Sequence, residues 1–380
     1  MFYDVAVIGA GVFGAWSAYQ IRLTGASVLL LDAYGPGNSR ASSGGESRII
    51  RLGYGPDEIY SRSSQRSFTF WQQLSEKTEP LFHKTGMLWL AREHDAYCEA
   101  TLATLQRLNA NFERLDQDEL IRRFPQLEFG PTTWAILEPD SGLLMARRAV
   151  QAVVAQAKVN GVEYVEKAIA PPPPAQGNLE SVRTVSGEEI KARQFVFACG
   201  PWLPKLFPEL LKDLIYVTRQ EVIFLGVPPG DDSFNRGAMP AWIDFNDLVY
   251  GLPNVDGRGF KIAIDAHGPE FDPDRGERVV SAEGLKAVRE YLAKRVPRMA
   301  NAPVMETRVC QYENTSNGDF LIDKHPAFEN VWIVGGGSGH GFKHGPVVGE
   351  YVARMIAGEQ VREPRFSLES KQRVQNRAVY

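Results

Sequence analysis

The sequence predicts a two-part chain. One part is an α/β, Rossmann-like nucleotide-binding domain on a parallel sheet. The other is an α+β domain with a large antiparallel sheet. Three observations predict this. Residues 4–33, "DVAVIGAGVFGAWSAYQIRLTGASVLLLDA", run strand, glycine turn, helix, strand. Residues 219–265 alternate in polarity and are rich in aromatics, as half-buried antiparallel strands are. Residues 330–358 close the chain as strand, glycine loop and helix. A nucleotide-binding domain made of 1–85, 143–215 and 311–380 is therefore expected to be interrupted by a substrate domain made of 86–142 and 216–310.

The elements follow in order. Val5, Val7 and Ile8 lie in a continuous apolar run, the mark of a parallel strand buried on both faces. Residues 15–24 read as a helix stopped near Gly25, and "SVLLLD" as the second strand of a right-handed βαβ unit. Helices are predicted over 60–77, 95–108 and 147–161, with strands at 84–91 and 132–144. The segments 162–169, 179–185 and 188–200 read as a meander whose last strand returns to the parallel sheet, and Pro171–Pro174 as an exposed loop. "RQEVIFLGV", "MPAWIDF", "DLVYGLP" and "GFKIAID" form the second sheet. Residues 281–297 form an amphipathic helix, and 308–326 a strand, a polar loop and a strand.

Composition narrows the function classes. At 380 residues the chain can bury a large core without disulfides. The net charge of −4 argues against nucleic acid and acidic membrane surfaces as partners. No apolar run reaches the roughly 18 residues of a membrane span. Three cysteines (Cys98, Cys199, Cys310) are too few and too odd for a disulfide framework and fit a reducing, cytoplasmic setting. The opening lacks a signal-peptide pattern, and the final "RAVY" is no peroxisomal address.

Gly9, Gly11 and Gly14 form G-x-G-x-x-G between strand and helix. Gly9 serves the tight turn, Gly11 lets a pyrophosphate approach the backbone, and Gly14 allows close helix–strand packing. The phosphates would meet free N–H groups at the helix N-terminus. Asp32 follows Gly11 by 21 residues and ends the second strand, where a carboxylate accepts hydrogen bonds from a ribose. The motif does not separate NAD from FAD.

Further along, "GAGVFG", "SRIIR" (47–51), "KTGMLWL", "EPDSGLL", "ACGPW" (198–202), "CQYENTSNGDFLIDKHP" (310–326) and "GSGHGFKHGPVVGE" (337–350) resemble the D-amino-acid-oxidase-like flavoproteins, and within them the monomeric sarcosine oxidase family. The likeness covers nearly the whole chain. It implies FAD bound to a glutathione-reductase-like domain, and oxidation of a secondary amine with O2 reduced to hydrogen peroxide. Under it Cys310 matches the position that carries flavin through a thioether, and otherwise reads as a structural cysteine. Lys261 matches the lysine that promotes O2 reduction, where a fixed cation stabilises the charge that develops. Arg51 and Lys343 match the pair that binds the substrate carboxylate, Arg48 a position near the flavin ring, and Tyr250 and Tyr312 aromatics on the substrate side. Ser42, Ser47, Gly200, Gly337, Gly339, Gly341, Phe342 and Lys343 fall in segments that line the cofactor.

The chain also departs from the pattern. Four residues after Lys261, where the family carries histidine, stands Asp265. The early loop has only small residues at 43 and 44. An acid in the pocket would attract a cationic or hydroxyl-rich group, so Asp265 points to an altered amine substrate. His340 and His344 stand four apart without an acid to complete a metal motif, so no metal is expected. The leading expectation is a monomeric, FAD-dependent oxidase of an N-methyl or N-alkyl amino acid. The alternatives are a fructosyl-amino-acid oxidase, a dehydrogenase with another acceptor, a flavin-binding regulator without turnover and an NAD-dependent reductase.

Overall fold

The computed structural model describes residues 2–374; the tetrapeptide 377–380 lies outside them. One sheet runs in the order Leu321–Lys324, Val331–Gly335, Glu189–Phe197, Phe2–Ile8, Val28–Asp32, Glu163–Glu166. Along this order all neighbours are parallel except the first pair. Along Phe2–Ile8, Val5 and Val7 enter one core, whereas Ala6 and Ile8 enter another on the opposite face. Period-two alternation thus buries both faces, as a parallel sheet covered by helices requires.

The helix after the first strand is Val12–Leu23, beginning at once after Gly11 rather than at residue 15. Apolar spacing alone places the start too late, because it cannot see that Gly11 is the capping residue. The helices predicted over 60–77, 95–108 and 147–161 are Glu58–Glu76, Ala96–Arg107 and Ala146–Val159. The expected meander needs a larger correction. Glu163–Glu166 pairs in parallel with Val28–Asp32 and so belongs to the nucleotide-binding sheet. Only Ser181–Arg183 forms a hairpin with Glu189–Phe197.

The second sheet has the order Val304–Thr315, Ile215–Leu225, Phe260–Ile264, Val249–Leu252, Ala241–Asp244, Met87–Ala91, Trp134–Glu138, Glu113–Asp116. It is antiparallel except where Ala241–Asp244 meets Met87–Ala91. The division expected between 310 and 311 falls inside the continuous strand Val304–Thr315, which pairs with Ile215–Leu225 along its whole length. Leu321–Lys324, six residues on, already belongs to the first sheet.

The stretch 132–144 is two strands, not one. Trp134–Glu138 lies in the second sheet, and Gly142–Leu144 turns away to pair with Arg48–Ile50 and Phe82–His83 in a third, small sheet. That small sheet positions the site. Ile50 packs into the core around Trp16 and Trp71, whereas Ile49 packs against the core around Trp89. The segment is thereby pinned between the two sheets, with Arg48 and Arg51 at its ends.

Candidate active site

A cavity of about 410 Å³ runs along the carboxyl ends of the parallel strands. Gly9, Gly11, Asp32, Ser42, Ser43, Arg48, Gly200, Cys310, Tyr312, Glu313, Gly337, Gly339, Gly341 and Phe342 all contribute to its wall. This is where a doubly wound sheet binds its nucleotide. Gly9 has φ of 103°, and a Cβ there would stand 2.4 Å from the carbonyl oxygen of Ala198. At Gly14 a Cβ would stand 1.8 Å from the Gly9 oxygen, so this residue packs the turn and does not face the cavity. At Gly11 a Cβ would meet only Ser43 Oγ, at 3.5 Å, which leaves the helix N-terminus open to a phosphate.

Asp32 accepts from the amides of Ala10 (2.7 Å) and Tyr34 (2.9 Å), and burial raises its pKa. These bonds aim the carboxylate along the cavity. Ser43, which the sequence reading passed over, accepts from the Val12 amide at 3.1 Å and caps this helix from a distant loop. Glu313 was also missed. It accepts from the Gly337 amide (3.3 Å), its Oε2 has no hydrogen-bond partner among the described residues, and burial pushes its pKa up to about 7. An open amide-rich turn, an acid for a ribose, a glycine-lined far end and an unsatisfied buried carboxyl beside them fit FAD.

At the far end Arg48 donates to the carbonyl oxygens of Ser47 and Ser42, both at 2.9 Å, and reaches Cys310 Sγ at 3.5 Å. Ser42 also donates to the Gln311 carbonyl at 3.0 Å. The Ser47 side chain does not line the cavity. What Ser47 contributes is its carbonyl, which accepts from Lys261 Nζ at 2.7 Å. Lys261 is 2% exposed and lies behind the main cavity, in a small void with Arg48 and Cys310. Burial first, and Arg48 next, hold its pKa well below the usual lysine range.

Beyond the cavity the remaining groups meet. Arg51 is buried between two rings, 4.1 Å from the centroid of Tyr54 and 4.5 Å from that of Trp89, and donates to the Gly53 carbonyl. Lys343 does not line the cofactor cavity either; it donates to Tyr54 Oη (2.7 Å) and the His340 carbonyl (2.9 Å). Trp71 holds it there by donating to the Lys343 carbonyl at 2.8 Å and stacking on Phe342. Asp265 accepts from Tyr312 Oη at 2.8 Å. Burial raises its carboxyl to about 7, against the lowering pull of Tyr312, Arg51 and Lys343. Tyr250 completes the wall, its ring 5.8 Å from Lys261 Nζ, and burial raises its hydroxyl pKa. The Arg51 side of this arrangement depends on Glu138. Its carboxylate accepts from Leu52 N (2.7 Å), Gly53 N (2.9 Å), Trp89 Nε1 (2.7 Å) and Ser141 Oγ (2.6 Å). Four donors satisfy the buried anion and fix both the loop after Arg51 and the ring beneath it. The two histidines are packed among aromatics: His340 against Tyr60 and Phe320, His344 against Tyr54.

Residues 4–355 match the FAD dependent oxidoreductase family. The chain belongs to that family. Within it the chain is a sarcosine-oxidase-like, FAD-dependent amine oxidase acting on CH–NH donors. It is 30% identical to the monomeric sarcosine oxidase of Bacillus sp. (strain NS-129), over 93% of this chain and 92% of that protein. The N-methyl-L-tryptophan oxidase of Salmonella heidelberg (strain SL476) is 28% identical over 97% of each chain. Among solved structures, L-proline dehydrogenase from P. horikoshii superposes with a TM-score of 0.82 at 21% identity, covering 96% of both chains. Fructosyl amine: oxygen oxidoreductase (Amadoriase I) from Aspergillus fumigatus superposes with a TM-score of 0.79 at 20% identity, over 96% of this chain and 89% of that one. These two establish the shared fold. Among the oxidase's described residues, no helix is long and apolar enough to cross a membrane.

Proposed function

We propose that the oxidase acts on a secondary amine that carries a carboxylate, an N-methyl or N-alkyl amino acid, and passes the electrons to O2. The carbon–nitrogen bond becomes an imine, water splits it to an aldehyde and an amine, and O2 leaves as hydrogen peroxide. Bound FAD supplies the hydride acceptor. The observation that carries this reading is that Arg51 and Lys343 meet at the Tyr54 ring while Asp265, held by Tyr312, lies within electrostatic reach of both cations. Arg51 and Lys343 bind the carboxylate, and the planar guanidinium sets its orientation. Asp265 faces the amine. Lys261 and Arg48 place positive charge where O2 and the flavin ring are handled. Gly11, Asp32, Ser42, Gly200, Gly337, Gly339, Gly341 and Phe342 hold the cofactor, and Cys310 is its covalent anchor. Cys310 lines the cavity with Arg48 beside its sulfur. Yellow colour that stays with the acid-precipitated protein, and leaves it in Cys310→Ala, is the expected result; colour lost from the native pellet would remove the anchor. The enzyme works as a monomer in the cytoplasm, where Cys98 and Cys199 stay reduced.

Asp265 supports the fructosyl-amino-acid alternative as well, since a carboxylate also accepts from sugar hydroxyls. The two readings separate in one experiment. Peroxide release is measured over a panel of N-alkyl and fructosyl amino acids for the native enzyme and for Asp265→His. The native enzyme is expected to prefer N-alkyl amino acids, and the substitution to reorder their relative rates. Asp265 ionises as pH rises through about 7, so the affinity for a cationic amine should increase over that interval and lose the step in Asp265→Asn. Unchanged relative rates would remove Asp265 from substrate selection, and a preference for fructosyl compounds would favour the alternative.

A further inference from the structure

His344 is fully buried and takes no part in the chemistry described so far, yet it sits in an unbroken line of hydrogen bonds. Lys343 Nζ donates to Tyr54 Oη at 2.7 Å, Tyr54 Oη lies 2.8 Å from His344 Nε2, and His344 Nδ1 lies 3.0 Å from Ser63 Oγ. Lys343 and Tyr54 are buried, whereas Ser63 is partly exposed on helix Glu58–Glu76. The line therefore starts in the substrate pocket and ends at the surface. We propose that Lys343, Tyr54, His344 and Ser63 form a proton conduit that charges Lys343 from solvent when a carboxylate enters the pocket. This rests on the reading of Arg51 and Lys343 as the carboxylate clamp.

The pocket's electrostatics call for such a route. Arg51 and Lys343 approach the same Tyr54 ring, at 4.1 and 5.3 Å from its centroid. Two buried cations side by side repel. Burial first, and then Arg51, hold the Lys343 amine well below the ordinary lysine range, while Asp265 and Glu138 pull the other way. An arriving carboxylate reverses the balance: it raises the affinity of Lys343 for a proton, and the buried amine has to draw that proton from outside the pocket. The neighbours suit a relay. Burial, Lys343, His340 and Arg51 keep the His344 ring neutral, so it can accept at one nitrogen and donate at the other. Burial keeps the Tyr54 hydroxyl protonated.

The step balances. In the pH interval where free Lys343 is neutral, its amine instead accepts from Tyr54 before binding, His344 Nε2–H donates to Tyr54, and Ser63 donates to Nδ1. Ser63 then gives its proton to Nδ1 and takes one from water, Nε2 gives its proton to Tyr54, and Tyr54 gives its own to Lys343. At the end Lys343 is an ammonium donating to Tyr54, Tyr54 donates to Nε2 and Nδ1–H donates to Ser63. No electron moves, and departure of the carboxylate runs the line backwards and resets it.

The test uses the oxidised holoenzyme and acetate, a carboxylate with no amine to oxidise, followed by the flavin spectrum and a pH-indicator dye. One proton is expected to be taken up per acetate bound in the pH interval where free Lys343 is neutral, with affinity falling about tenfold per pH unit there. In His344→Phe the uptake should slow by about a hundredfold, with acetate affinity unchanged at the acidic end. In His344→Gly, added imidazole should restore the rate, which a purely structural role for the ring would not allow. Acetate that leaves the flavin spectrum unmoved, binding without proton uptake at any pH, or uptake at the native rate in both variants would overturn the conduit. No turnover is involved, so an enzyme that failed to oxidise amines could still show the uptake, and an active amine oxidase could lack it.

Discussion

Lys261→Met is expected to slow consumption of O2 about a thousandfold while leaving anaerobic loss of the flavin colour with substrate nearly unchanged. The reason lies in where the lysine sits. It is buried on the strand Phe260–Ile264, tied to the Ser47 carbonyl and enclosed with Arg48 and Cys310, away from the carboxylate clamp. Reduction of O2 places negative charge in a dry site, and a fixed cation there stabilises it far more than water would. Methionine has the length to fill the space but neither the charge nor the donor, so packing is preserved while the cation and its bond to the Ser47 carbonyl are lost. Stopped-flow mixing of the reduced enzyme with O2 measures the effect. Reoxidation at the native rate would show that O2 is handled elsewhere, and would favour an acceptor other than O2.

Arg51→Gln is expected to raise KM by roughly 150-fold, about 3 kcal/mol, with a much smaller change in kcat. A carboxylate contact made equally in the bound substrate and at the transition state shows up as binding alone. Arg51→Lys should recover only part of the loss. Lysine keeps a charge, but it gives up the planar fork and the stacking between Tyr54 and Trp89. The same substitutions should leave KM unchanged for an amine that lacks a carboxylate. Equal losses for substrates with and without the carboxylate would mean that Arg51 supports the fold of the pocket and does not bind the ligand.

Much of this was legible in the chain because it is local. The glycine turn, Asp32 and the helix between them lie within one βαβ unit, and their spacing is fixed by backbone geometry. What was not legible depends on contacts between distant residues. Glu138 was visible inside "EPDSGLL", but its four donors come from residues 52, 53, 89 and 141, and no periodicity announces them. Ser43 caps a helix 31 residues away in sequence, and His344 meets Tyr54 across 290. Asp265 stood out only as a departure from a family pattern; its bond to Tyr312 required the fold. The break of 132–144 into strands of two sheets was missed because both halves are apolar and buried, and burial alone does not say against which sheet.

Anaerobic addition of N-alkyl amino acids to the oxidised holoenzyme, read at the flavin absorbance, tests the central claim most directly. At least one of them should bleach the flavin to the extent that dithionite does, at a rate that saturates with substrate and needs its carboxylate. A flavin that dithionite reduces but that no N-alkyl amino acid bleaches at any concentration would contradict the assignment of the Arg51–Lys343–Asp265 pocket to amine oxidation.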